Sequence, residues 1–261
     1  MTVEILNPEV LLNLYKNHGE FAAVCYNTDT KYAAKVGESC QQSGHMSGSR
    51  CEYIKFRISG IDRGTAEQIL RHEIGVQRVP DAETYSELSM EVTDVSPDQV
   101  IKNMASFRYI DKDGFEYAVP STIAKDAGAK VLYDAIMKSI NNYRDAIKQQ
   151  LIHNGVPEAQ ATQDANMVLP RATTTELVIG FTPEALIHFC HKRLCNRAQE
   201  FIREVARYMK TECAKVNPKF AEELVPHCKY LLWCPEGKKC CGMTKTRDEV
   251  ASLINRVYIV E

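Results

Sequence analysis

Residues 128 to 155, GAKVLYDAIMKSINNYRDAIKQQLIHNG, constrain the fold more than any other stretch of the chain. Their apolar positions recur at helical spacing, Gly155 stops the run, and Val156 and Pro157 follow it, which predicts one long amphipathic helix. Strands are predicted around it. In EYIKFRISGI, Ile54, Phe56 and Ile58 alternate with Tyr53, Lys55 and Arg57, the period of a half-buried strand. ELVIGF at 176–181 reads as a short strand, and FAAVCYNT at 21–28 and GFEYAVP at 114–120 read as two more. KVGESCQQSG predicts a helix, as does TAEQILRHEIG with Thr65 as its cap and Ile69 and Leu70 on one side. Arg71 and His72 then close a strand-to-helix unit. From Pro183 a single helical stretch is predicted to about Val216. The pattern is a mixed α/β (α+β) fold, and no internal repeat interrupts it.

Composition narrows the class. Hydrophobic residues make up 44% and charged residues 25% of 261, ordinary for a globular chain. Lys plus Arg total 32 against 34 Asp plus Glu, so no global field draws nucleic acid or an anionic membrane, and an anion site has to be built locally. No run approaches the roughly 18 apolar residues of a spanning helix. The first residues, MTVEILNPEV, carry acids where a signal peptide carries bases, which predicts a cytoplasmic protein. Its ten cysteines are then expected as thiols or metal ligands rather than structural disulfides.

Between Gln77 and Ile101 the pattern gives way to Pro80, Asp81, Ser86, Ser89, Asp94, Ser96 and Pro97, which reads as an inserted, exposed loop: a lid, an extra subunit contact or a passive connection. In HKRLCNRAQEFIRE, Arg193 and Arg197 are four apart and are predicted to share a helix face, while Gln199 lies elsewhere. Spacing alone favours a solvated basic face partnered by Glu200 and Glu204.

Read together, SGHMSGSR, GIDRGTAEQILRHE, NMASFRYI, FEYAVPSTI, MVLPRATTTELV and FCHKRLCNRAQEFIREVA resemble, in order, the flavin-dependent thymidylate synthases over most of residues 35 to 210. The hallmark of that family is Arg-His-Arg, seven residues, then a serine followed closely by arginine and tyrosine. Arg71 and His72 match its first half; Ser106, Arg108 and Tyr109 match its second. Residues 74 to 105 number 32 where the hallmark has seven, an excess of 25. Closure entropy grows only with the logarithm of loop length, so the halves can still meet.

The resemblance implies a single domain over 1–261, with the insertion at about 77–101 and a cysteine-rich tail at about 226–243. It implies a central, mainly antiparallel sheet flanked by long helices, and a homotetramer with shared active sites. It also implies noncovalent FAD, methylenetetrahydrofolate as one-carbon donor, NADPH as reductant and dUMP as substrate. Gln68, Arg71, Ser106, Arg108 and Arg193 resemble the nucleotide site, with Arg193 beside the uracil as the catalytic cation. His45, Ser47, His72, Asn103, His188 and Arg197 resemble flavin-contacting positions. Guanidinium groups suit such work because their planar fork grips a phosphate or carbonyl in two places.

Four departures stand against the family pattern. Glu73 replaces the third residue of Arg-His-Arg and would need Arg71 or Arg78 as partner. Arg50 and Cys51 stand where many members have a Glu-His pair. Asn166 replaces an arginine, with Arg171 nearby as a substitute. Glu184 occupies a position that is often arginine. They leave open a noncatalytic paralogue, or one shifted to another pyrimidine nucleotide.

The tail, HCKYLLWCPEGKKCCG, holds Cys228, Cys234, Cys240 and Cys241 with His227 beside them. Its spacing lacks the tight Cys-x2-Cys pairs of a strong zinc motif, so no metal site is assigned. A short thiol-bearing cap around Trp233, with PEG as a turn, is the plain reading, and a disulfide ranks lower in a reducing compartment.

Overall fold

A computed structural model of the chain describes residues 1–72, 106–108 and 115–258. In chain order the elements are β1 (Thr2–Ile5), α1 (Pro8–Leu12), α2 (Leu14–Tyr26), α3 (Ala33–Gln42), β2 (Ile54–Asp62), α4 (Arg63–Leu70) and β3 (Ser106–Arg108). Then come α5 (Ser121–Lys125), α6 (Ala127–His153), α7 (Glu158–Ala165), β4 (Thr174–Phe181), α8 (Pro183–Arg193) and α9 (Glu200–Val216). The short α10 (Pro218–Glu223) and α11 (His227–Leu231) lead to α12 (Arg247–Tyr258). The strands form a small antiparallel sheet in the order β1-β2-β4-β3, within a chain that is otherwise helical. The predicted insertion, with Glu73 and Asn103, lies outside the described residues.

The chain gathers into two compact units. The first comprises Met1 with residues 59–69 and 107–176. Here α6 runs from its Asp126 cap, whose side chain accepts from the Ala129 amide, to a stop at Gly155, whose φ of 87° only glycine adopts freely. Met137 is its one buried residue, and Ile61, Ala66, Ile69, Ala161 and Ala165 are buried in the same unit. Helix α4 is capped by Asp62, not by the expected Thr65. Both carboxylate oxygens of Asp62 are used, accepting from the Thr65 amide at 2.9 Å and the Thr65 hydroxyl at 2.5 Å. An Asp at the strand end moves the cap back and puts Thr65 inside the first turn. The predicted strand at 114–120 reduces to one antiparallel bridge, Tyr117 with Thr173. Pro120 ends the extended run and leads into α5.

The second unit comprises 2–58, 70–106 and 177–261. Ile54, Phe56 and Ile58 of β2 are fully buried while Lys55 and Arg57 are exposed, as the alternation requires. Residues 21–28 are the larger correction: 21–26 are the end of α2 and Asn27 is its left-handed cap, so they do not form a strand. Leu14, His18 and Ala22, with Gly19 and Ala23 beside them, are buried at a spacing of four, so the helical period outweighs the local alternation of FAAVCYNT. Gly19 makes this possible. A Cβ there would lie 1.7 Å from the Ala33 carbonyl oxygen, and one on Gly37 of α3 would lie 1.8 Å from that of Tyr15, so the two backbones touch.

The long helix predicted from Pro183 is two helices. Thr182 caps α8 through its hydroxyl, Gln199 precedes α9, and residues 194–199 form a break in which the Asn196 carbonyl accepts from Arg203 Nη1. Ile202, Val205, Ala206, Met209 and Cys213 make the buried face of α9. Among the described residues no helix is long and apolar enough to cross a membrane.

Candidate active site

His45, Ser47, Arg71, His72, His188, Arg193 and Arg197 belong to the second unit, where Arg193 and His72 are in contact. Arg193 is the last residue of α8, and its Nε donates to Nε2 of His72 at 2.5 Å. His72 must therefore present an unprotonated Nε2. Burial first, then the charge of Arg193, hold its pKa down at about 4, so the imidazole is neutral across the physiological range. Arg193 itself is half-buried, and desolvation lowers its pKa, yet a guanidinium stays protonated at any working pH.

His72 is held from below by aromatic packing. Its ring stands edge-on to Phe189, with centroids 5.0 Å apart and planes at 76°. Phe189 packs on Phe181 at 5.3 Å and Phe181 on Phe56 at 6.2 Å. A continuous run of rings thus leads from the sheet to the Arg193 contact, and Phe56 and Phe189 are fully buried. The sequence held no signal for this run, since its members come from β2, β4, α8 and the turn after α4.

His188, on the same helix, is exposed. Its pKa is lowered by partial desolvation, with Lys192 and His227 adding to the effect. Arg71 is exposed beside His72. Arg197 does not share a helix face with Arg193, because it falls in the break after α8, where it is exposed.

His45 and Ser47 are exposed at the entry to a short 3-10 turn, Ser47–Cys51, which packs against α8. Under this turn sits His18, which sequence reading passed over. It is 2% exposed, and the His45 backbone and the Gln41 side chain are the polar groups nearest in effect on its ring. A Cβ on Gly48 would lie 2.5 Å from His18 Cδ2, so the glycine is what lets the turn rest on the imidazole.

Arg50, at the end of the same turn, pairs with Glu184 in the first turn of α8: Nε to Oε2 at 2.5 Å and Nη2 to Oε1 at 3.0 Å. Two of the departures from the family pattern are therefore one ion pair of reversed polarity. The charges that act on His72 are those of Arg193, His188 and Lys192, cationic groups that suit an anionic ligand.

The remaining expected residues fall elsewhere. Gln68 is half-buried on α4 in the first unit. Next to it Glu67 accepts from Arg171 Nη2 at 2.7 Å, so the arginine proposed to replace the missing one at Asn166 is tied to the helix that carries Gln68. Ser106 and Arg108 lie on β3, and Asn103 lies outside the described residues. Among the described residues no group of three or more His, Cys, Asp or Glu stands in position to hold a metal.

Comparisons with known proteins identify the family. The family model of the thymidylate synthase complementing protein matches residues 15–219. A flavin-dependent thymidylate synthase of Nitratidesulfovibrio vulgaris is 32% identical over 214 residues, covering 81% of this chain and 77% of the relative. Enzymes of the same description from Geobacter sulfurreducens and Clostridium tetani are 30% and 28% identical, each over 76% of the chain and 72% and 73% of their own lengths. On the strength of a match that spans the His72–Arg193 contact and most of both compact units, the chain belongs to the flavin-dependent thymidylate synthases, which are methyltransferases.

Proposed function

We propose that the protein carries out the FAD-dependent reductive methylation of dUMP to dTMP in the cytoplasm, taking the one-carbon unit from methylenetetrahydrofolate and the reducing equivalents from NADPH. The observation that carries this reading is the hydrogen bond from Arg193 to a neutral His72, which unites residues expected at the nucleotide and the flavin. The flavin and folate supply the hydride and carbon-transfer chemistry when bound. The chain supplies orientation and charge. Arg193 offers a fixed cation to the pyrimidine, placed to stabilise negative charge that develops on the ring as C5 becomes nucleophilic. Because its Nε is engaged by His72, the guanidinium plane is set before substrate arrives and the Nη groups lie outside that contact.

Gln68, Arg71, Ser106 and Arg108 are assigned to the nucleotide, and His45, Ser47, His72, Asn103, His188 and Arg197 to the flavin. Exposure of His45, Ser47, Arg71, His188 and Arg197 supports this, since groups that meet a ligand must be reachable. The Arg50–Glu184 pair gives these two departures a structural role, joining the turn that bears Ser47 to the first turn of α8.

We assign the working state as a homotetramer. Leu132, Ile136 and Tyr143 lie along one side of α6 at 67%, 58% and 71% exposure, an apolar stripe that a second copy of the chain would cover.

The test is the visible spectrum of the purified protein, followed by anaerobic NADPH reduction with and without dUMP. Flavin bands that bleach, and whose bleaching responds to dUMP, are expected. A protein that is colourless and cannot be reconstituted with FAD would overturn the reading.

A further inference from the structure

The cysteine-rich tail belongs to none of the machinery above, yet its parts converge. Cys234 pairs with the chain ahead of α12: its amide donates to the Lys245 carbonyl at 2.7 Å, and it bridges in parallel to Thr246. Cys240 turns onto the same three residues, its thiol donating to the Thr244 carbonyl at 3.2 Å. The Gly242 amide donates to the Cys240 sulfur at 3.3 Å, an approach allowed by the left-handed φ of 83° at Gly242. The Glu236 amide and the Cys240 and Cys228 side chains are the polar neighbours that act on the Cys234 thiol. Cys234 and Cys240 thus converge on residues 244–246. Cys234 is buried and Cys240 half-buried.

The geometry points to a reversible redox site: Cys234 and Cys240 are a dithiol that hydrogen peroxide converts to an intramolecular disulfide. Cys240, the more accessible sulfur, attacks the peroxide. An S–O bond forms, the O–O bond breaks, and one water leaves with the thiol proton. The Cys234 sulfur then displaces the sulfenic hydroxyl, so that the S–S bond forms, the S–O bond breaks and the second water leaves. Two thiols are oxidised by two electrons and the peroxide is reduced by the same two.

The site touches the break after α8. Asn196 Nδ2 contacts the sulfur of Cys241 at 3.9 Å, and Asn196 is the neighbour of Arg197. Closing the Cys234–Cys240 bond fixes the residue next to Cys241 and so constrains that contact.

The purified full chain should be titrated with hydrogen peroxide, alkylated and digested with trypsin. Lys238 and Lys239 lie between the two cysteines, so the disulfide joins peptide 230–238 to peptide 240–245. The expected result is that linked pair, two hydrogens lighter than its parts, abolished by a dithiol reductant. It should persist in Cys241→Ser and be lost in both Cys234→Ser and Cys240→Ser. Linkage of Cys228 or Cys241 in its place, or Cys240 carried to the sulfinic acid while Cys234 still alkylates, would overturn the assignment. So would about one equivalent of bound zinc that Cys234→Ser removes, which would make the pair a metal ligand set.

Discussion

Arg50 and Glu184, 134 residues apart in sequence, meet in a two-pronged ion pair that joins the turn bearing Ser47 to the first turn of α8. Taken one at a time, each reverses the charge that the family pattern leads one to expect. Together they form one link between the two segments.

Reversal of either end alone, Arg50→Glu or Glu184→Arg, should lower stability by about 1 kcal/mol, the scale of a well-formed exposed pair, since the side chains are 49% and 31% exposed. The double exchange should recover most of that loss. Urea denaturation of the four proteins gives the coupling directly. Strict additivity would mean that the pair contributes nothing.

Arg193→Ala should leave flavin binding and the urea midpoint nearly unchanged while turnover falls about 10²–10³-fold, the cost of removing one preorganised charge-stabilising donor. His72→Ala, which frees the guanidinium without removing it, should lower turnover less than Arg193→Ala. Single-turnover flavin oxidation with folate and dUMP present separates these effects from product release.

Stability should fall as the solution is acidified from about pH 6.5 to about pH 4. His72 and His191 are held near 4, and the pKa values of His18, His188 and His227 are also lowered, in every case first by desolvation. Between those limits the unfolded chain takes up protons that the native chain refuses, so unfolding gains as pH drops. His191 stacks on His227 with ring centroids 5.3 Å apart. Replacing it by Phe should flatten the dependence measured by thermal melts across that range, and an unchanged slope would refute its contribution.

Gly19→Ala and Gly37→Ala should each cost about 3 kcal/mol or more, because a Cβ would penetrate backbone atoms at 1.7 Å and 1.8 Å rather than a side chain able to move. Poor soluble yield and an early urea midpoint are expected for both.

Leu132→Glu with Ile136→Glu should convert the proposed tetramer to smaller species at the same protein concentration, read by sedimentation velocity. An unchanged mass would place the subunit contacts elsewhere.

Elements governed by a single local period were legible in the sequence. Strand β2 follows from the alternation of Ile54, Phe56 and Ile58, and α6 from its repeat and the stop at Gly155. Features decided by distant contacts were not. FAAVC alternates like a strand, and only the Gly19–Gly37 contact shows why it winds instead. HKRLCNRAQ carries no Pro or Gly to end α8, and the break depends on Arg203 reaching back to the Asn196 carbonyl. At the site, motif order was enough to single out Arg193 and His72. Their direct contact, the rings beneath His72 and the pairing of Arg50 with Glu184 arise from segments that only folding brings together.

The eleven-residue α8 is fastened at both ends, by Arg50 at its second residue and by His72 at its last. In mechanical terms it is a beam pinned at two supports about 13.5 Å apart along its axis. Sliding along its axis would break both pins, whereas rolling about the axis strains them least. The softest displacement open to Arg193 is therefore a small swing of its guanidinium across the His72 edge. Release of either pin would turn that swing into a free hinge.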